Sequence, residues 1–307
     1  MTTEPPVDAV SDAFAVLSDE TRLDVIRVLG DAGGTGSFDA LPFSELRDRV
    51  GVDDSGRFSY HLDRLVGRFV ERTDRGYRLR VPGIQVYQAI QAGVYADHED
   101  IGPLETDIPC PEECGADCVC RYEDFRFHLE CADCEAFRVR YPVDPHSFGD
   151  DLPADLLRAA DRRLKRDTFS MELGFCPYCA GPVDIEYRGQ RRRLREPTEA
   201  GNPVASRRTC RRCHWFIDFR TSVVALIKPA VAGEFAAAGV DTFAVPQWSG
   251  AYEWEETVLS EDPLRVELTM TVEGVTRIVA FDGELDVLAV QHPDEPVEND
   301  ILRGRQS

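Results

Sequence analysis

Eight of the ten cysteines in this chain fall into two ordered tetrads. The first is Cys110-x3-Cys114 followed by Cys131-x2-Cys134, and the second is Cys176-x2-Cys179 followed by Cys210-x2-Cys213. Pairs of thiols two or three residues apart, each on a tight turn, are what a tetrahedral Zn²⁺ with four sulfur ligands requires. Two structural zinc ions are the expected cofactors. Four thiolates complete the coordination and leave no position for water, so Lewis-acid catalysis is not expected. Each site should fold only with its metal.

The segments that must position these thiols read as zinc ribbons. Around the first tetrad, a strand Ala116–Tyr122, a Glu123-Asp124 turn and a strand Phe125–Glu130 join the two knuckles. Gly115 follows the second thiol, where a tight turn can need positive φ. Cys118 and Cys120 are surplus and share one strand face, and one of them could replace Cys114 as a ligand. The second tetrad runs Cys-Pro-Tyr-Cys, a strand Val183–Tyr187, a long basic loop, then Cys-Arg-Arg-Cys-His-Trp. Cys-Pro-Tyr-Cys is also the glutaredoxin active-site tetrapeptide, which makes a thiol oxidoreductase a reading to weigh. Such a redox thiol needs a helix starting at the motif to depress its pKa. Ala180-Gly181-Pro182 prohibits that helix, and the second Cys-x2-Cys completes a metal site instead. His214 is then a surface residue beside Trp215, since four thiolates need no fifth donor.

Composition bounds the rest. A chain of 307 residues holds two to four small domains. Acidic residues number 56 against 35 basic ones, a net charge of −21, and only Lys165 and Lys228 are lysines. Acid excess with Arg in place of Lys is the pattern expected of a halophile's cytosol, where carboxylates keep a protein hydrated. Residues 55–81 nevertheless hold seven arginines against three acids, and residues 158–214 hold fourteen Lys plus Arg against seven acids. Basic islands in an acidic chain are where a polyanion could dock. The arginine-rich stretches 162–166, 188–195 and 207–212 admit two readings: a second surface facing nucleic acid or polymerase, or pairing with the chain's own acids. No stretch of 18 apolar residues exists, so no membrane partner is expected. MTTEPPVDAVSDAF has neither the basic nor the apolar part of a secretory signal. A cytoplasmic location, with cysteines as metal ligands rather than disulfides, is expected.

Upstream of the tetrads, residues 8–17 carry Ala9, Ala13, Phe14 and Leu17 at helical spacing. Ser18 is the expected cap of a second helix, DETRLDVIRVL. After the break Gly33–Gly36 come a short helix Phe43–Val50, ended by Gly51, and a helix from about Ser55 to Gly67 that buries Phe58, Leu62 and Leu65. Arg57, Ser59, Tyr60, His61 and Arg64 include several residues that must face outward. Strands Phe69–Thr73 and Tyr77–Val81, joined by Asp74-Arg75-Gly76, read as a β-hairpin. Helix, turn, helix and hairpin make a winged helix-turn-helix, whose second helix enters a major groove while the hairpin reaches the phosphate backbone.

SDETRLDVIRVL and FSELRDRVGVDDSGRFSYHLDRLVGRFVERTDRGYRL, over residues 8 to about 95, resemble the ArsR-type winged-helix regulators in their haloarchaeal variety. The resemblance implies that Ser55–Val66 is the reading helix and 69–81 the wing. It also implies dimerisation through the flanking helices 8–17 and 82–95. Metal-sensing members carry thiols in the reading helix, whereas this chain has none before Cys110 and its Cys118-Val-Cys120 lies in another domain, so heavy-metal sensing does not carry over. Ser55, Arg57, Ser59, Tyr60, His61 and Arg64 are the candidates for base or phosphate contacts, and Arg72, Arg75, Arg78 and Arg80 for phosphates.

Residues 152–173 read as a helix leading into the second ribbon, and residues 223–238 as another helix restarting near Pro229. Glu253–Ser260, Leu264–Glu273, Val275–Phe281 and Glu284–Gln291 alternate as an antiparallel meander, with Glu273-Gly274 and Asp282-Gly283 as tight turns. The helix 223–238 is the expected cover for one face of that sheet, and 292–307 is a polar tail. No Ser-His-Asp set, P-loop or GxGxxG is present, and no enzyme is expected.

The expected fold class is α+β and multidomain. Residues 1–96 form the winged helix-turn-helix, 97–145 the first zinc ribbon, 146–222 a helix with the second ribbon, and 223–307 the helix and meander. The expected function is a homodimeric transcription regulator bound to double-stranded DNA. The alternative is an accessory general factor contacting RNA polymerase or another transcription factor, since winged helix plus zinc ribbon is also the make-up of the archaeal relative of the TFIIE large subunit.

Overall fold

A computed structural model describes residues 7–33, 39–110, 114–134, 138–188, 205–248 and 252–293. Within them the chain is mixed α and β, with eight helices and four antiparallel sheets. It divides into two compact units, Met1–Glu99 with Asp144–Ser147, and Asp100–Val143 with Phe148–Ser307.

The first unit runs α1 (Val7–Leu17), α2 (Glu20–Asp31), α3 (Phe43–Val50), α4 (Ser55–Leu65), β1 (Val70–Thr73), β2 (Gly76–Leu79) and α5 (Val81–Gln91). The cap of α2 is Asp19 and not Ser18. Asp19 has the extended backbone an N-cap needs and accepts the Arg22 N–H at 3.2 Å, while the Ser18 hydroxyl donates back to the Ala15 carbonyl at 2.9 Å. Arg22, almost fully buried, donates its Nε to the Val16 carbonyl and so satisfies the last turn of α1. Gly51 closes α3 in the left-handed region at φ 78°.

Val25, Ile26 and Leu29 of α2 meet Leu46 of α3, Phe58, Leu62 and Leu65 of α4, and Val70 and Leu79 of the hairpin in one core. Leu41 and Tyr77 exchange both backbone hydrogen bonds at 2.9 Å, adding a bridge beside the hairpin. Gly76 makes that approach possible, because a Cβ there would lie 2.1 Å from the Leu41 carbonyl oxygen.

The second unit begins with a sheet ordered β3 (Ile101–Pro109), β4 (Asp117–Glu123), β5 (Arg126–Cys131), β6 (Arg138–Pro142). The sequence reading found only the inner hairpin. Pro103 and Pro109 argue against a strand, yet β3 is an edge with two register shifts, where proline is tolerated. The turn between β4 and β5 is Asp124-Phe125, one residue later than expected, with both residues at positive φ. On the inner face, Cys120, Tyr122, Phe127, Leu129 and Tyr141 join Leu156, Ala160 and Leu164 of α6 (Ala154–Glu172) in one apolar cluster.

The second cysteine segment forms a three-stranded sheet of β7 (Val183–Arg188), β8 (Ala205–Cys210) and β9 (Phe216–Arg220). The helical segment over 223–238 restarts at Pro229 as expected, giving α7 (Thr221–Ala225) and α8 (Pro229–Ala237), because Pro229 cannot continue a helix and serves as the first residue of a new one. The meander is present as β10 (Tyr252–Glu261), β11 (Leu264–Val272), β12 (Val275–Phe281) and β13 (Val287–Gln291). Val266, Leu268, Met270 and Val272 turn one face of it onto Leu226, Val231 and Phe235. Asp282-Gly283 is not a tight turn. The Asp282 carboxylate accepts the N–H groups of Glu284 and Asp286, and the wider loop drops Leu285 fully into the core.

Both lysines tie α6 to the meander half. Lys165 Nζ reaches Asp161 at 2.5 Å and the Phe243 carbonyl at 2.7 Å, and Lys228 Nζ reaches Glu172 at 2.7 Å. Glu172 also receives the fully buried Arg208. A compact ammonium on a flexible stem can serve such convergent, non-planar acceptors where a guanidinium fork fits poorly. Of the sequence expectations, the break at Gly33–Gly36 lies almost wholly outside the described residues, as do Arg191–Arg195 of the basic loop and nearly all of the tail.

Candidate metal centres and nucleic-acid interface

Each tetrad closes from two knuckles carried by one antiparallel sheet. In the first, Cys110 follows β3 and Cys131 ends β5, and Cys110, Cys114, Cys131 and Cys134 place their sulfurs within 4.8 Å of one another. The closest approaches are Cys110 to Cys134 at 3.6 Å and Cys114 to Cys131 at 3.4 Å. The second group is Cys176, Cys179, Cys210 and Cys213, with Cys176 to Cys213 at 3.7 Å and Cys179 to Cys210 at 3.5 Å. A disulfide would hold its sulfurs about 2.05 Å apart. A tetrahedral ion bonded to each sulfur at about 2.3 Å sets them about 3.8 Å apart. The observed spacings fit the ion and exclude the bond, and no disulfide links any of the ten cysteines.

The knuckles also prepare thiolates. Backbone N–H groups of Asp133 and Cys134 donate to Cys131 Sγ at 3.4 and 3.3 Å, and hold that thiol down at about 7. Burial pushes Cys210 up, but the N–H groups of Cys213 and Arg212 outweigh it and bring the thiol down to about 6. In both sites the first thiol of the later knuckle is brought down by backbone donors. Cys118 and Cys120 lie outside either group, and burial pushes both up to about 11. Neither replaces Cys114.

The residue after the second thiol is left-handed in three knuckles: Gly115 at φ 86°, Ala180 at 52° and His214 at 60°. His214 is exposed and stands outside the sulfur group. Its backbone is what the turn uses. His214→Gly should therefore keep the full metal content and leave stability unchanged or raised by about 1 kcal/mol. Loss of metal on inductively coupled plasma analysis would make the imidazole a ligand.

Asp167 supports the second site and was missed by sequence reasoning. Fully buried, it accepts Tyr141 Oη at 2.9 Å, Arg166 Nε at 2.8 Å, Arg163 Nε at 3.2 Å and Tyr178 Oη at 3.3 Å. Tyr178 lies between Cys176 and Cys179, so the network joins that knuckle to β6 through α6. A signal existed: Leu156, Ala160, Leu164, Asp167 and Met171 form one helical stripe, and a carboxylate there must find donors inside.

In the first unit, the Asp54 carboxylate caps α4 by accepting the Arg57 N–H at 2.6 Å. With Phe58, Leu62 and Leu65 buried, Arg57, Tyr60 and Arg64 fall at i, i+3 and i+7 on the open side, and Tyr60 is 57% exposed. Ser55 is exposed and Ser59 half-buried. His61 does not belong to that face. It is 7% exposed, with Nδ1 3.1 Å from Asp19 Oδ1, because its position on α4 follows the buried stripe. On the hairpin, Arg72, Arg75, Arg78 and Arg80 are all exposed. Arg78 is partly neutralised by Glu71 at 2.6 Å, and Arg72 lies over the Tyr77 ring at 5.9 Å.

The second basic island is different. Arg163 and Arg166 serve Asp167, Arg207 pairs with Asp218 at 2.6 Å, Arg208 with Glu172, and Arg211 with Asp184, while Arg212 donates to the Cys179 carbonyl at 2.9 Å. For these arginines the structure shows pairing within the chain.

Two family models match. The one described as Domain of unknown function (DUF7351) covers residues 107–287, and the one described as Domain of unknown function (DUF7347) covers residues 10–90. No curated protein and no solved structure matches the chain. No described helix is long and apolar enough to cross a membrane.

Proposed function

Because the chain belongs to the family of the domain of unknown function DUF7351, whose span takes in both four-sulfur groups and most of the meander, we propose that this half is a zinc-stapled module and that the first unit delivers it to duplex DNA. The protein is then a transcription regulator and not an enzyme. Its first unit is a winged helix of the ArsR-type kind, with α4 as the reading helix and β1–β2 as the wing.

One observation carries this reading. The only large side chains on the open face of α4 that combine charge and reach are Arg57 and Arg64, set either side of exposed Tyr60, with the hairpin arginines in the same unit. A helix that presents a few donors to base edges beside a phosphate-contacting hairpin is how this class of motif reads a major groove. Homodimerisation has support in α1, which buries no residue and leaves Val7, Val10 and Phe14 exposed at 78%, 40% and 64%. An apolar helix face of this kind belongs against another surface.

Zinc is the proposed metal because four thiolates at tetrahedral spacing select it among divalent ions with no redox chemistry of their own. Bound there, it supplies cross-linking and no reaction. Cys110, Cys114, Cys131 and Cys134 would hold one ion, and Cys176, Cys179, Cys210 and Cys213 the other.

The test is genome-wide occupancy of the tagged protein in its native host at native salt. Peaks at a limited set of promoters sharing an inverted repeat are expected, since two copies would read two half-sites. Signal spread over all active promoters without a shared motif would overturn the specific-regulator reading and point to a polymerase-associated factor.

A further inference from the structure

We propose that Cys118 and Cys131 are the two halves of a peroxide-induced disulfide whose formation dismantles the first four-sulfur site. The proposal rests on the reading of that site as metal-bound, and it gives the surplus thiol a task.

The register makes the case. Cys118 on β4 stands directly opposite Cys131 on β5. The Ala132 N–H donates to the Asp117 carbonyl at 3.1 Å, which makes Asp117 and Ala132 a hydrogen-bonded pair. Bonded and non-bonded pairs alternate along an antiparallel ladder, so Cys118 and Cys131 form the non-bonded kind, in which Cα atoms approach to about 4.5 Å with side chains close. A disulfide spans Cα separations of about 4.4–6.8 Å. Both side chains lie on the inner face, Cys118 at 1% and Cys131 at 8% exposure. Cys118 is also fixed along the strand, because Thr106 Oγ1 donates to its carbonyl at 2.6 Å.

No other thiol is placed this way. Cys120 faces Leu129, and in the second sheet Cys210 faces Val183. Only the first site therefore has a spare thiol aligned with one of its own ligands. The two roles of Cys131 exclude each other, since a sulfur in a disulfide is no longer a thiolate donor. The exposed Cys114, 3.4 Å from Cys131, marks the side from which a molecule the size of peroxide reaches the site.

The chemistry balances with hydrogen peroxide as the oxidant. The Cys131 thiolate attacks one peroxide oxygen, the O–O bond breaks, and Cys131 sulfenic acid and hydroxide result. The Cys118 thiol then attacks the Cys131 sulfur, the S–O bond breaks, and the departing hydroxide takes the thiol proton as water. The two sulfurs lose two electrons and the two peroxide oxygens gain them. Cys110, Cys114 and Cys134 are left with three sulfurs for the ion, and a thiol reductant restores the fourth.

The experiment treats the zinc-loaded full-length protein with hydrogen peroxide, follows released zinc with a chromogenic chelator, and maps disulfides by mass spectrometry after cleavage before aspartate. That cleavage places Cys110 with Cys114, Cys118 with Cys120, Cys131 and Cys134 on four separate peptides. The expected result is release of one of the two zinc equivalents, with the 117–123 peptide linked to the 124–132 peptide, both reversed by dithiothreitol. Cys120→Ala should keep link and release, and Cys118→Ala should lose the link. Linkage confined to the four ligand cysteines, with Cys118 still alkylated as a free thiol, would overturn the proposal in the unmutated protein, whatever the variants do. Zinc measured before oxidation separates the two claims. A link formed in protein that never held zinc would sink the metal reading, whereas zinc without a link would sink the disulfide alone.

Discussion

Protein carrying Arg57→Ala and Arg64→Ala together is expected to bind a promoter fragment a hundredfold or more weakly than the unmutated chain. Each guanidinium is exposed on α4, and neither pairs with an acid among the described residues. Each is therefore available for a bidentate contact with a base edge or for a phosphate, worth about 1–3 kcal/mol. Truncating both removes no buried surface, so the thermal midpoint should stay where it was. Arg78→Ala should cost less, because Glu71 already holds that side chain at 2.6 Å. Fluorescence anisotropy at several salt concentrations reads both variants. Hairpin variants should flatten the salt dependence, as phosphate contacts do, while the α4 variants should relax discrimination between sequences. Unchanged affinity in the double variant would remove α4 as the reading helix.

Cys210→Ser should have the larger effect on the fold. Cys210 is fully buried at the end of β8, and its thiol is the one in the second site held lowest by backbone donors. Replacing it breaks the proposed zinc site, and zinc affinity, of order 10 kcal/mol or more in small metal-folded domains, is also folding energy. Zinc content should fall from two equivalents per chain to one. The loss should spread beyond the knuckle, since Tyr178 donates to Asp167, which also receives Tyr141 of β6. Removing one of that buried carboxylate's four donors costs about 1 kcal/mol or more in addition. A drop in melting temperature on the order of 10 °C or more is therefore expected for the second unit. Two equivalents of metal retained in the variant would show that the second group is not a metal site.

Different parts of the molecule were legible in the sequence to different degrees. Both tetrads were readable because ligand chemistry imposes its own spacing: two thiols per knuckle and two knuckles per ion. The inner hairpin, α6 and the meander were readable because period-2 and period-3.6 patterns report which face is buried. The edge strand β3 was not, because proline hides a strand until its place in the sheet is known. The cap at Asp19 was misread as Ser18 because two good capping residues stand side by side, and only the backbone turn chooses between them. Apolar residues at 58, 62 and 65 put position 61 on the buried stripe, but a histidine there reads as polar until a partner is known. Asp19, arriving from another helix, then supplies the partner that lets it turn in.

By itself the sequence determined that eight thiols would gather in fours, that basic charge would concentrate at residues 55–81, and that the last hundred residues would form a sheet with a helical cover. These follow from local chemistry, in which the residues that act together lie within a turn or a hairpin of one another. Tertiary structure alone decided which arginines stay free. Arg207, Arg208 and Arg211 near the second site find Asp218, Glu172 and Asp184 on neighbouring elements, whereas Arg57 and Arg64 find no such acid among the described residues. It alone set Cys118 opposite Cys131, because strand register depends on a whole row of cross-strand pairs and cannot be read from either strand. Charge and thiol content are properties of residues, but their availability depends on what the fold brings beside them.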